Sequence, residues 1–171
     1  MAVLEKLEFV PFGPYRFIGK SVYARIGGQY SGVLFGALWE YYSKSVFQTL
    51  DQMQECATQE TENVALISGD LYEEKKKLLG YTIGRFMRAD TPVPDGLDSF
   101  DVPAIYVAKG IVRGEFDDMI ENAEKLMMDA ISRQAEYTAT WAVAAEVYTA
   151  QTVTQTGAHS VLGYYIGCKK A

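Results

Sequence analysis

The stretch LGYTIG at Leu79–Gly84 returns as LGYYIG at Leu162–Gly167, with five of six residues identical and 83 positions between the copies. The match decides the fold, because the elements around it recur in the same order. Ahead of the first copy, PYRFIGKSVYARI (Pro14–Ile26) is rich in β-branched and aromatic residues and bounded by Gly13 and Gly27, the composition of a strand. Phe35, Trp39, Tyr42, Val46, Leu50 and Met53 then recur at steps of three and four, which predicts one apolar stripe of a helix. ENVALISG and KKLLGYTIGRFMRA read as two strands separated by a charged turn at Asp70–Lys77. The order is β-α-β-β.

Past the first copy, DTPVPDGLDSFDVP holds three of the five prolines and reads as a connection. The order then starts again. AIYVAKGIVRG is a strand, and EFDDMIENAEKLMMDAISRQ carries Phe116, Met119, Ile120, Ala123, Met127, Ala130 and Ile131 on one helical stripe. Glu115, Asp117 and Asp118 fall in its first turn, where the helix dipole favours acids. TWAVAAEVYTAQ and HSVLGYYIGCKK complete a second β-α-β-β. Phe17–Lys20 (FIGK) matches Tyr106–Lys109 (YVAK) in character at an offset of 89, so the second half is about six residues shorter. The expectation is an α+β fold in a single domain, residues 1–171. Duplicated β-α-β-β modules (about 14–89 and 103–170, joined by 90–102) share an antiparallel sheet. Two helices lie on one face, and a central cleft on the other, at the kind of junction where ligand sites form.

Composition excludes several classes of function. Sixteen basic residues against 22 acidic ones leave a net charge of −6, and the densest basic runs, Lys75–Lys77 and Lys169–Lys170, are short. That is no footprint for phosphate contacts, so no direct nucleic-acid partner is expected. Cys56 and Cys168 have no ligand spacing and read as reduced thiols of a cytoplasmic protein. The start, MAVLEKLEFVPFG, lacks the basic-then-apolar pattern of a signal peptide, and no apolar run reaches membrane-spanning length. The phosphate-cradling glycine patterns, HExxH and GxSxG are all absent from the sequence. The one histidine, His159, sits in the polar turn TGAHSV and supports no triad, zinc site or haem, so neither cofactor nor metal is expected.

Aromatic residues reach 13%, with 12 tyrosines, and many lie in the strands. Such rings pack cores, and they also make flat apolar walls with polar tips. Glu146 stands out as the single charge in WAVAAEVYTA. A carboxylate there faces solvent from an edge strand, or it is the electrostatic centre of a pocket, able to hold a cation or act as a general acid/base. Glu146 and Tyr148 share a strand face; Trp141 has the opposite parity unless a bulge intervenes.

Four stretches in order, LFGALWEYY, GDLYEEKKKLLGYTIGRFM, DVPAIYVAKGIVRG and AAEVYTA, resemble the GyrI-like domain, also called the AraC-type effector-binding domain. This domain is found in multidrug-sensing transcription regulators and as free-standing proteins. The resemblance implies a cleft between the modules that takes bulky planar or cationic lipophilic compounds between aromatic walls, over a buried glutamate. That glutamate corresponds to Glu146, with Tyr148 beside it; Tyr106, Tyr164, Tyr81, Trp39 and Trp141 are the further ligand-binding candidates. No helix-turn-helix stretch is seen, so the resemblance is to a free-standing cytoplasmic small-molecule-binding member that does not switch a promoter alone. Two alternatives come with the family. One is a hydrolase opening strained-ring electrophiles, with Glu146 as its catalytic residue. The other is an inhibitor that binds a protein partner, DNA gyrase or a regulator.

Overall fold

Alternating apolar residues build strands and the two apolar-periodic stretches build helices, giving a sheet-dominant α+β fold. The computed structural model describes residues 1–25, 31–68, 78–152 and 160–171. The strands are β1 (Val3–Phe12), β2 (Tyr15–Arg25), β3 (Asn63–Ser68), β4 (Leu78–Arg88), β5 (Asp98–Val102), β6 (Ile105–Gly114), β7 (Tyr137–Tyr148) and β8 (Ser160–Lys170). The helices are α1 (Ser31–Asp51) and α2 (Phe116–Ser132). The Asp70–Lys77 turn, the Lys75–Lys77 run and His159 lie outside the described residues.

The chain forms two compact units: Gly13–Pro103, and Met1–Phe12 together with Ala104–Ala171. In the first, an antiparallel sheet runs β5-β2-β4-β3, and α1 packs on β2 and β4. In the second the antiparallel order is β1-β6-β8-β7, and α2 packs on it. The repeated hexapeptides are thus the inner strands β4 and β8, each hydrogen-bonded on both sides.

Strand register makes the repeat exact at particular residues. Tyr81 is flanked by Val22 and Ile67, and Tyr164 by Gly110 and Glu146. Gly84 is paired with Gly19, and Gly167 with Val107. Gly19 and Val107 are therefore equivalent, at an offset of 88 rather than the expected 89. The likeness of FIGK to YVAK is one of composition; a one-residue slip would turn each side chain to the other face, and pairing forbids it.

The repeat is also one strand longer than β-α-β-β. Residues 1–13 and 90–102, expected to lie outside the modules, contribute β1 and β5. Phe12 of β1 faces Ile105 of β6, and Phe100 of β5 faces Phe17 of β2; Phe12 and Phe100 are 88 apart, as are Phe17 and Ile105. Each repeat is β-β-α-β-β, and each lends its first strand to the other repeat's sheet.

Helix α2 buries Met119, Ala123, Met127 and Ile131, the expected stripe, against Ala108, Val112, Leu162 and Ile166. Full burial of a side chain of this size contributes roughly 1.5–3 kcal/mol. In α1 the buried line is Leu38, Val46, Phe47 and Leu50. Tyr42 departs from the expected stripe: it is exposed, with the Lys20 ammonium 5.3 Å from its ring centre, and Met53 lies past the helix end. Leu38, not Tyr42, completes the i, i+8, i+12 line that meets the sheet.

Gly84 is required by a close approach. A Cβ built there would lie 2.0 Å from the Ile18 carbonyl oxygen and 2.8 Å from the Gly19 Cα. Gly19 has the reciprocal clash with Ile83. The two glycines let β2 and β4 converge where they pair.

Candidate functional site

Glu146 lies in the run Val143–Val147, whose other side chains are all buried, and is itself only 7% exposed. An ionised carboxylate at that depth needs donors. Tyr148, two residues on along the same strand face, donates its hydroxyl to Glu146 Oε2 at 2.5 Å. Tyr164 is the direct cross-strand partner of Glu146, so both side chains leave the sheet on one side. Tyr164 packs in the α2 cluster and donates its hydroxyl to Glu124 Oε2 of α2 at 3.2 Å. Two tyrosine–carboxylate pairs, Tyr148–Glu146 and Tyr164–Glu124, thereby lie on the α2-bearing face of this unit. The cleft was expected on the face opposite the helices; Glu146, Tyr148 and Tyr164 instead share the helix side. Glu124 carries no signal in the sequence, since it is one more charge beside the buried stripe of α2.

The bulge that governs Trp141 is present. Pairing of β7 with β8 jumps from Ala139–Cys168 to Ala144–Ile166, so Thr140–Val143 stand opposite Gly167 alone. A Cβ on Gly167 would lie 2.9 Å from the Val143 nitrogen. At the bulge Trp141 adopts φ 61°, the left-handed region, and its side chain is 51% exposed. The three extra residues reverse parity along β7, which brings Tyr137 and Tyr148 onto the same side of the sheet.

Tyr106 is not brought to Glu146. It pairs with Cys168, four residues along β6 from the Gly110–Tyr164 pair, roughly 13 Å at strand rise. There its ring packs edge-on to Tyr137 at 5.5 Å, below the Lys170 ammonium.

Tyr81 and Trp39 belong to the other unit. Tyr81 is 4% exposed, and the Trp39 indole Nε1–H donates to its hydroxyl at 2.9 Å. Phe35 of α1 lies flat on the Tyr81 ring, with centres 4.0 Å apart and planes 11° apart. Both repeat tyrosines therefore reach their own helix through the hydroxyl, Tyr81 to Trp39 and Tyr164 to Glu124. The position equivalent to Glu146 holds Ile67, so one unit is acidic where the other is aromatic and aliphatic. Phe35 reads as core in the sequence; only the fold puts it on Tyr81.

Burial pushes the Cys168 thiol above its ordinary range. Among the described residues, no group of three or more His, Cys, Asp or Glu could hold a metal ion, and no helix is long and apolar enough to cross a membrane.

Comparison with known proteins places the fold among structures that include transcription regulators. The chain matches a putative bacterial transcription regulation protein from Staphylococcus aureus MU50 with a TM-score of 0.65 at 12% identity, covering 96% of this chain and 98% of that one. It matches EcmrR in a DNA complex at TM-score 0.62 and 12% identity over 97% of this chain, which spans 58% of EcmrR. An integron cassette protein from the mobile metagenome of Vibrio cholerae matches at TM-score 0.56 and 10% identity, over 98% and 99% of the two chains. These likenesses are of fold. No protein-family model matches the chain, and no curated protein matches it.

Proposed function

We propose that the protein is a small-molecule-binding module of the GyrI-like, effector-binding type, taking bulky planar or cationic lipophilic compounds with Glu146 as the electrostatic anchor. The observation that carries this reading is the depth of Glu146: a 7% exposed carboxylate, among buried aliphatic side chains, held by the Tyr148 hydroxyl. A carboxylate in so dry a setting favours a positively charged ligand over a neutral one of the same shape. Tyr148, which is only partly buried, supplies a ring beside it suited to cation–π contact. The likeness to regulators supports a sensing role, and EcmrR in its DNA complex suggests a DNA-binding partner. With a net charge of −6, DNA contact would fall to that partner.

The test is a titration of wild type and Glu146→Gln with a planar lipophilic cation and a neutral analogue of equal size, followed by tryptophan fluorescence. Dissociation constants of micromolar order, about 8 kcal/mol, are expected for the cation. The substitution should weaken the cation roughly 10- to 100-fold, the worth of a charged contact, and the neutral compound far less. Equal losses would remove Glu146 as the anchor.

A second reading rests on the hydroxyl 2.5 Å from the carboxylate. A hydrolase opening strained-ring electrophiles needs a base and a neighbouring hydroxyl to position water, and Glu146 with Tyr148 is such a pair. Glu146→Gln should then cost about 10²–10⁴-fold in turnover of a cyclopropane-bearing alkylator. Absence of turnover by the wild type would leave the binding reading alone.

A further inference from the structure

We propose that the pocket at the C-terminal end of α1 binds a small free amino acid, with Arg85 holding the carboxylate and Glu60, beside Asp51, holding the ammonium. All of these residues belong to the Gly13–Pro103 unit, so the inference stands independently of Glu146.

The Arg85 guanidinium is fixed on three sides. Its Nε and Nη2 both donate to Asn63 Oδ1, at 3.0 and 2.8 Å, and its Nη1 donates to Asp51 Oδ1 at 2.5 Å. Its central carbon lies 5.2 Å from the centre of the Phe47 ring, and the side chain is only 17% exposed. A guanidinium has five N–H donors, so two of them keep no partner among the described residues. A rigid planar fork with open donors suits a carboxylate.

A plain structural tie between α1 and the sheet would account for these bonds, but the fold does not require one. In the other repeat β8 carries Cys168 where β4 carries Arg85, and α2 ends on Ser132 where α1 ends on Asp51. The equivalent junction closes without an ion pair.

Arg85 instead borders a cavity of about 180 Å³, which Asp51, Glu60, Thr58, Leu50 and Met87 also line. At ~30 Å³ for each water this is room for roughly six waters, which suits a small amino acid. Leu50 and Met87 are buried and give it a short apolar floor. The charges select the ligand. Two acids, Asp51 and Glu60, flank one guanidinium at the negative end of the α1 dipole. That surplus repels a simple anion, and a phosphate ester more strongly; Arg85 repels a simple cation. A molecule with both charges on one carbon meets neither obstacle.

The experiment titrates L-alanine, small enough for any side-chain preference, into wild type, Arg85→Gln and Glu60→Gln. Propionate, which lacks its ammonium, and ethylamine, which lacks its carboxylate, are titrated beside it. Shifts of the Arg85 Nε–H and the Thr58 amide follow binding. Wild type should hold alanine roughly 10- to 100-fold more tightly than either analogue, the worth of one charged contact. Arg85→Gln should lose alanine by a similar factor. Glu60→Gln should weaken alanine roughly tenfold and strengthen propionate, because a charge that repels anions is gone. Damage to packing cannot produce that crossing, so the result decides the matter even where Arg85→Gln unfolds. Failure of alanine to saturate the shifts of wild type, propionate bound as tightly as alanine, or equal losses of both ligands in Glu60→Gln overturns the inference.

Discussion

Replacing Gly84 by alanine should be among the costliest single-methyl additions in the chain, and the same change at its repeat partner Gly167 should cost much less. At Gly84 the added Cβ meets the Ile18 carbonyl oxygen at 2.0 Å, its carbon at 2.7 Å and the Gly19 Cα at 2.8 Å. All three are backbone atoms of a paired strand, so relief requires β2 and β4 to part where both are hydrogen-bonded. Overpacking of this kind costs about 1–3 kcal/mol where side chains can yield; where only backbone can move, about 3–5 kcal/mol is expected. At Gly167 the nearest atoms are the Val143 nitrogen at 2.9 Å, Thr140 Oγ1 at 3.3 Å and Ala142 Cβ at 3.5 Å, all in the bulge. The bulge can shift by a few tenths of an ångström, so about 1–2 kcal/mol is expected. For a chain of this length each kcal/mol moves the melting temperature by roughly 2–4 °C. Gly84→Ala should therefore melt about 6–20 °C lower than wild type. Urea and thermal unfolding of the two variants in parallel measure the difference. A Gly84→Ala protein within about 1 kcal/mol of wild type, or one more stable than Gly167→Ala, would refute the close-approach reasoning.

Acid should weaken the Arg16–Asp101 pair that ties β5 to β2. The Arg16 hydrogen bond, 2.8 Å long, holds the Asp101 carboxyl below its ordinary value, so its contribution is full above about pH 4 and is lost as pH falls through the lower folded value. The Arg16 side-chain Nε–H shift should move over that range in wild type and much less in Asp101→Asn; matching curves would discard the pair as the cause. The two thiols should differ in reactivity. Burial raises the Cys168 thiol and leaves it 3% exposed, whereas Cys56 is half-buried. Iodoacetamide at mildly alkaline pH should label Cys56 alone, as read by peptide mass spectrometry; equal labelling would contradict the packing around Cys168.

What could be read from the sequence was local. The α2 stripe was legible because a clean amphipathic period survives in it, and LGYTIG and LGYYIG because inner strands carry their pattern undisturbed. The 89 offset failed by one because β2 and β6 share composition rather than identities, and only pairing to β4 and β8 sets their register. Strand β5 was hidden because DSFDV is short, acidic and set among prolines, so its strand character comes from β2 beside it. At the site, the Glu146–Tyr148 neighbourhood follows from strand parity. The Tyr164–Glu124 bond joins residues 40 apart, and the Phe35–Tyr81 stack joins α1 to β4. Contacts of that kind depend on how a helix lies on its sheet, which no spacing encodes. The Trp141 bulge had a precondition in Gly167, but a glycine in a strand does not say which neighbour will crowd it.

The exchange of β1 and β5 bears on ancestry. A half-length gene encoding one β-β-α-β-β repeat would yield a polypeptide whose first strand has no place in its own sheet. Two such polypeptides would complete each other, each donating its leading strand, as an obligate pair. Joining the two genes end to end turns that partnership into a single molecule while keeping every strand with the neighbour it already had. Once fused, the halves no longer need to be identical, and one copy can carry Ile67 where the other carries Glu146.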